Sequence, residues 1–236
     1  MHISRHYISD EELQEELTSL NMTSEDYLRT LIIPQKDENM GGTARSNTFS
    51  EIFFSDIFEY FFGYYVPRVR QYNMSGKTLS EHGTDVIGIK YYNEDKSPCE
   101  KDELLTCEVK AVLSKSCPSV IEEAIKDSIK DNFRYAITLN YMKRKLKQLG
   151  QIDKSKLVER FQKKTEPGMD FVIKHVCAGM TNTSPKTEIL SNGEKITYIP
   201  DIDGGILCVP TNTDVYFIYG NDLMKLAHDV YERCTK

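Results

Sequence analysis

At 236 residues, with 39% hydrophobic and 28% charged side chains, the chain is long enough for one sizeable core and too long to need disulfide or metal staples for stability. No apolar run approaches a membrane span and no apolar stretch follows the start as in a secretory signal, so a cytoplasmic protein with no membrane contact is expected; the six cysteines, at 99, 107, 117, 177, 208 and 234, form no CxxC pair or zinc-spaced cluster and are expected to be reduced thiols. The net charge of −6 excludes a global basic field, leaving a local positive groove, or carboxylates offset by bound metal, as the routes to a nucleic acid.

In chain order, Ser9 stands three before Glu12 with Leu13 and Leu17 four apart, which predicts a short capped amphipathic helix; Thr23 opens a second helical segment that ends toward Pro34 and the loop "PQKDENMGGT". Residues 1–40 therefore form a helical extension, and the main domain is expected over 41–236. "ARSNTFSEIFFSDIFEYFFGYY" follows, with apolar side chains at three- and four-residue spacing up to Gly63. It reads as an amphipathic helix whose aromatic stripe, Phe49, Phe53, Tyr60 and Phe61, is core, with Glu51 and Ser55 sharing another face, where Glu51 reads equally as a solvated residue or a functional acid. "YYVPRVRQY" is demoted to an edge or first strand by Pro67.

Two strands come next, "GTDVIGIKYY" (83–92) and "LLTCEVKA" (104–111), separated by the polar stretch 93–103. Pro118 precedes a helix whose apolar positions are Val120, Ile121, Ala124, Ile125 and Ile129, and residues 134–164 read as two inserted helices divided at Gly150. The last third reads as strands at "DFVIKHVCAG", "KTEILSNGEKITYI" with a turn at 191–194, "GILCVP" and "VYFIYG", then a final helix capped by Asn221. This order predicts an α/β (α+β) fold with a mixed central sheet flanked by helices.

If the two central strands pair antiparallel about residues 96 and 97, Asp85 faces Glu108, Ile87 faces Thr106 and Ile89 faces Leu104. Two directly opposed carboxylates repel, by a few tenths to about 1 kcal/mol, so positive charge is expected between them. Lys110 shares the Glu108 face and supplies one charge; a hard divalent cation, which favours carboxylate and carbonyl oxygens, would supply the rest. Carboxylates that hold such a cation, with a lysine beside it, suit phosphodiester hydrolysis. The triplet Glu108-Val109-Lys110 carries no weight alone, since Glu94-Asp95-Lys96 repeats its pattern in a polar loop. Its apolar flanks and its cross-strand acid distinguish it.

Helix with Glu51, strand, Asp85 in "HGTDVIGI", "CEVKA", then helix resembles the PD-(D/E)XK nuclease superfamily with its restriction-endonuclease-like αβββαβ core; Thr84 stands where that motif has Pro. "RSNTFSEIFFSDIFEYFF", "SEHGTDVIGIKYY" and "CEVKA" are similar to HamA, the nuclease subunit of Hachiman anti-phage systems, and to the related Abp nuclease, over roughly residues 44–135. The resemblance implies an Mg²⁺-dependent deoxyribonuclease, with Mn²⁺ as substitute, under control of a helicase partner. Asp85, Glu108 and Lys110 match the motif, the metal being held by Asp85, Glu108 and the Val109 carbonyl, and Glu51 matches the acid of the first core helix. For DNA contact the candidates are Lys115 and the basic run Lys143, Arg144, Lys145 and Lys147, which reads equally as a solvated helix face. His82 reads as a loop hydrogen-bonder. The competing expectation is a nuclease-fold protein without turnover that binds nucleic acid or a partner.

Overall fold

The computed structural model of the chain describes residues 6–72, 74, 76–78, 83–164, 166–183, 198–200, 206–208 and 213–235; His82 and the expected turn at 191–194 lie outside them. Helix α1 (Asp10–Leu20) starts where its cap was read, the Glu12 N–H donating to Ser9 Oγ at 3.1 Å. Thr23 caps α2 (Ser24–Tyr27) in the same way, and the chain runs on into a π-helical turn, Leu28–Ile32.

Helix α3 (Gly41–Asp56) and the π-turn Ile57–Phe61 cover the expected aromatic helix. Its burial differs from the periodicity. Phe49, Ile52, Phe54 and Phe58 are core, whereas Tyr60 and Phe61 are 67% and 83% exposed. The extra residue in the wide turn delays the next inward position, so that Tyr64 rather than Phe61 returns to the core, its N–H bonded to the Phe58 carbonyl at 3.0 Å. Around residues 49–55 the helix is buried on most sides, Glu51 and Ser55 included, because the sheet lies on one flank and the N-terminal segments and last helix on another.

The main sheet has four strands among the described residues. Strand β1 (Val86–Lys90) pairs antiparallel with β2 (Glu103–Val112) in the anticipated register: Val86 opposite Cys107, Ile87 opposite Thr106, Ile89 opposite Leu104. Strand β3 (Val172–Asn182) is parallel to β2, a separate two-stranded ladder joins β4 (Tyr198–Pro200) to β5 (Ile206–Cys208), and β6 (Thr213–Gly220) is parallel to β3. The expected first strand contracts to one antiparallel bridge, Tyr65 with Ile89; beyond it Pro67 has no N–H for a ladder and the chain turns away. The sheet is thus mixed and flanked by helices, an α/β fold.

Between β2 and β3 lie α4 (Val120–Ser128), α5 (Asp131–Gln148) and α6 (Ile152–Arg160), the last two divided at Gly150 with φ +68°. One sheet face packs Val86, Leu105, Cys107, Val109, Val176 and Ala178 against α3 and the N-terminal segments. The other packs Ile87, Ile89 and Leu104 against α5 and α6, and Cys177 against α4. Helix α7 (Leu223–Cys234) closes the first core; its opening N–H, from Leu223, donates to Asn182 Oδ1 at 3.1 Å, so the capping side chain comes from β3 and not from Asn221. No helix among the described residues is long and apolar enough to cross a membrane.

Candidate active site

Asp85 precedes β1 by one residue, and what holds it there is α5. The Thr84 N–H donates to Thr138 Oγ1 at 3.0 Å, and Gly83, with φ +133°, lies so close that a Cβ would meet the same hydroxyl at 2.6 Å. One step past the Val86–Cys107 pair, the Asp85 carboxylate accepts the Val109 N–H at 2.9 Å. In a strand paired antiparallel, a residue's N–H and C=O face the same neighbour, so the Val109 carbonyl faces this flank too, where β1 has ended.

A cavity of about 190 Å³ is lined by Glu51, Asp85, Glu108, Val109 and Lys110 together. All five residues expected to hold metal or take part in chemistry meet there. Lys110 Nζ lies 3.0 Å from Glu108 Oε1 and 2.7 Å from Asp127 Oδ2 on α4. Although burial opposes the charge, these two acids raise the Lys110 pKa above its usual value, and the ammonium stays charged. Asp127, which also pairs with Lys130, has its carboxyl lowered by the two lysines against the opposing effect of burial.

A cation stands beside each acid, Lys110 at Glu108 and Arg70 at Asp85, and Arg70 is not among the residues the sequence pointed to. Arg70 Nη2 sits 2.9 Å from Asp85 Oδ1, its Nε 3.4 Å from Glu51 Oε2, and its Nη1 donates to the Thr84 carbonyl at 2.5 Å. Glu51, whose helix face reads equally as solvated or functional, is buried and takes a further bond from the Gln71 amide at 2.8 Å. Burial first, then the Asp85 and Glu108 charges, push its carboxyl up to about 7 against the pull of Arg70 and Gln71. Arg70 had little signal: it stands among Arg68, Val69, Gln71 and Tyr72, where polar and apolar side chains mix and no ladder says which turns inward. Asp127 had none beyond its place on an amphipathic helix.

The donor chemistry suits a hard divalent cation: carboxylate oxygens on one flank, a backbone carbonyl beside them, and a guanidinium already standing as a cation between Glu51 and Asp85. As placed, with Arg70 and Lys110 engaged, no group of three His, Cys, Asp or Glu among the described residues is arranged to hold a metal ion. A divalent ion held by these groups would require side chains to move. The nucleic-acid candidates lie outside the cavity. Lys115 is exposed in the loop before α4. On α5, Arg144 and Lys147 are exposed, Lys143 is half-buried, and Lys145 donates to the Tyr72 carbonyl at 3.2 Å.

No curated protein matches the chain, whereas a family model for HamA matches residues 2–234, nearly its whole length. The chain belongs to the HamA family, a component of the Hachiman antiviral defence system.

Proposed function

We propose that the protein is the nuclease of its Hachiman system, a non-specific Mg²⁺-dependent enzyme that cuts DNA phosphodiester bonds, accepts Mn²⁺ in place of Mg²⁺ and is restrained by a helicase partner. The observation that carries this reading is the gathering of Asp85, Glu108, Lys110 and Glu51 in one cavity, with Glu108 and Lys110 two apart on the central strand β2. Asp85, Glu108 and the Val109 carbonyl would hold the metal. When bound, a divalent ion polarises the phosphodiester and acidifies a water.

The chain's own groups have definite tasks. Lys110, kept charged by Glu108 and Asp127, is a fixed positive charge for the developing phosphorane and an anchor for the attacking water, not a proton acceptor. Glu51 adds a third carboxylate from the helix side. The exposed Arg144 and Lys147 supply salt-dependent phosphate contacts. Purified protein, alone and with its helicase partner, is expected to cut DNA in Mg²⁺ and to lose that activity in EDTA and in Glu108→Ala and Lys110→Ala. Cleavage that persists in both variants refutes the assignment.

One observation favours a second reading. Asp85 and Glu108 are each already matched by a cation, Arg70 and Lys110, as in a scaffold that keeps the fold and binds DNA or a partner without turnover. Calorimetric titration with Mg²⁺ or Mn²⁺ separates the two, because the scaffold binds neither ion at Asp85 and Glu108.

A further inference from the structure

Three carboxylates, from Glu51, Asp85 and Glu108, meet two cations, Arg70 and Lys110, in and beside the same cavity, and the exposed Glu123 also lines it. A divalent ion set between Glu51 and Asp85 would lie against the Arg70 guanidinium, and like charges at that distance repel strongly where the dielectric is low. The same ion in exchange for Arg70 meets these acids without that repulsion.

The geometry makes the exchange specific. Arg70 is 9% exposed, and its three guanidinium nitrogens each take a partner: Nη2 on Asp85, Nε on Glu51, Nη1 on the Thr84 carbonyl. It thus uses one oxygen of Asp85, a proposed metal ligand, while the Val109 N–H holds the other. It also has somewhere to go. A second cavity, of about 200 Å³, is lined by Arg70 itself with Asn47, Glu51, Gln71 and Met74. Liquid water occupies about 30 Å³ per molecule, so this space has room for a guanidinium group. Glu51 would keep its bond from Gln71 meanwhile.

We propose that Arg70 is a built-in counter-ion that keeps the centre closed by taking the cation's place between Glu51 and Asp85, and that metal binds only as Arg70 swings toward the adjoining cavity. The inference rests on the metal-dependent reading of the same site. The affinity for metal is then reduced by the fraction of molecules in which Arg70 has moved, and anything that draws Arg70 outward switches the site on.

Titration of the full chain with Mn²⁺ alone, by calorimetry, tests this with Arg70→Gln and Arg70→Lys beside the parent. Arg70→Gln is expected to bind Mn²⁺ at least tenfold more tightly, which is about 1.4 kcal/mol. Arg70→Lys, with one charge but no fork to reach both acids, should fall between. Because Arg70→Gln leaves buried acids without their cation and lowers stability in the absence of metal, the rise in Tm on adding Mn²⁺ is a second reading, expected to be larger in the variant than in the parent. Asp85→Asn combined with Arg70→Gln should cancel the tightening. Equal or weaker Mn²⁺ affinity in Arg70→Gln, with the parent binding normally, overturns the Arg70 inference alone. Absence of Mn²⁺ binding in every folded variant, parent included, overturns the metal-dependent reading and takes this inference with it.

Discussion

Lys110 is held by two acids from different elements, Glu108 on its own strand and Asp127 on α4, and that double hold gives it an address as well as a charge. Removing the Asp127 charge leaves Glu108 to orient the ammonium alone. Asp127→Asn is expected to slow cleavage by on the order of ten- to a hundredfold, the scale at which misplacement affects a reacting group. Mn²⁺ affinity should be unchanged, since Asp127 does not line the cavity; single-turnover rates and calorimetry report the two quantities separately. Much of the site could be read at this scale. The placement of Asp85 near Glu108 and Lys110 follows from pairing arithmetic, because a strand's side chains alternate and the register that continues Val86–Cys107 brings the acids together, while their roles come from the resemblance. Arg70 and Gln71 could not be placed in the same way. They come from a stretch with no ladder of its own, where no period says which side chain turns inward, and the burial of Glu51 is imposed by the sheet, the N-terminal segments and α7, which its own helix period does not announce.

Element boundaries were legible where capping chemistry marks them, as at Ser9, Thr23 and Gly150, and illegible where the helix changes pitch: nothing in "SDIFEYFF" announces the wide turn that turns Tyr60 and Phe61 outward. Packing between elements makes two further predictions. Helix α4 lies so close on β3 that a Cβ at Gly179 would meet Ile121 Cδ1 at 2.5 Å and Val120 Cγ2 at 3.1 Å. Both side chains are buried and have little room to yield. Gly179→Ala should therefore destabilise by about 1–3 kcal/mol, measured by denaturant unfolding, and should slow cleavage through Lys110 because Asp127 rides on α4. At the junction of α3 and α7, the buried Arg45 reaches His228 Nδ1 at 3.2 Å, an arrangement that requires a neutral ring. Burial, then the Arg45 and Lys36 charges, lower the His228 pKa, against smaller opposing effects of Glu232 and Asp229. The native state then binds fewer protons than the unfolded chain below about pH 6.5, so stability is present above that pH and is lost as pH falls toward the folded pKa. In His228→Gln the fall in Tm between neutral and mildly acid pH should be smaller than in the parent; an identical fall would assign the acid sensitivity to other groups.

At the scale of the molecule, the cores on opposite faces of one sheet share the strand that carries the site, and the one against α3 draws heavily on the N-terminal segment. The capped helices there were legible, and residues 1–40 were set apart as an extension because their composition is acidic and a Pro- and Gly-bearing loop follows. Composition says nothing of where the segment docks. Ile8, Leu28 and Ile33 are buried in the same cluster as Ile52, Phe54, Cys107 and Val109, and the buried Tyr7 hydroxyl bonds that of Tyr231 on α7 at 3.0 Å. Three fully buried aliphatic side chains are worth about 5–9 kcal/mol at roughly 1.5–3 each. A whole domain has only about 5–15 kcal/mol of net stability, so their loss alone removes most or all of it. A chain that starts at Gly41 should therefore fail to give a cooperative thermal transition and should bind a hydrophobic dye at low temperature. It should also lose Mn²⁺ binding, because Phe49 and Ile52, which set the pose of Glu51 on α3, would lose the surface that covers them. If the shortened chain instead melts sharply within about 5 °C of the full chain, a shift of only about 1–2 kcal/mol for a protein of this size, the N-terminal segment is an appendage and the support of the site begins at α3.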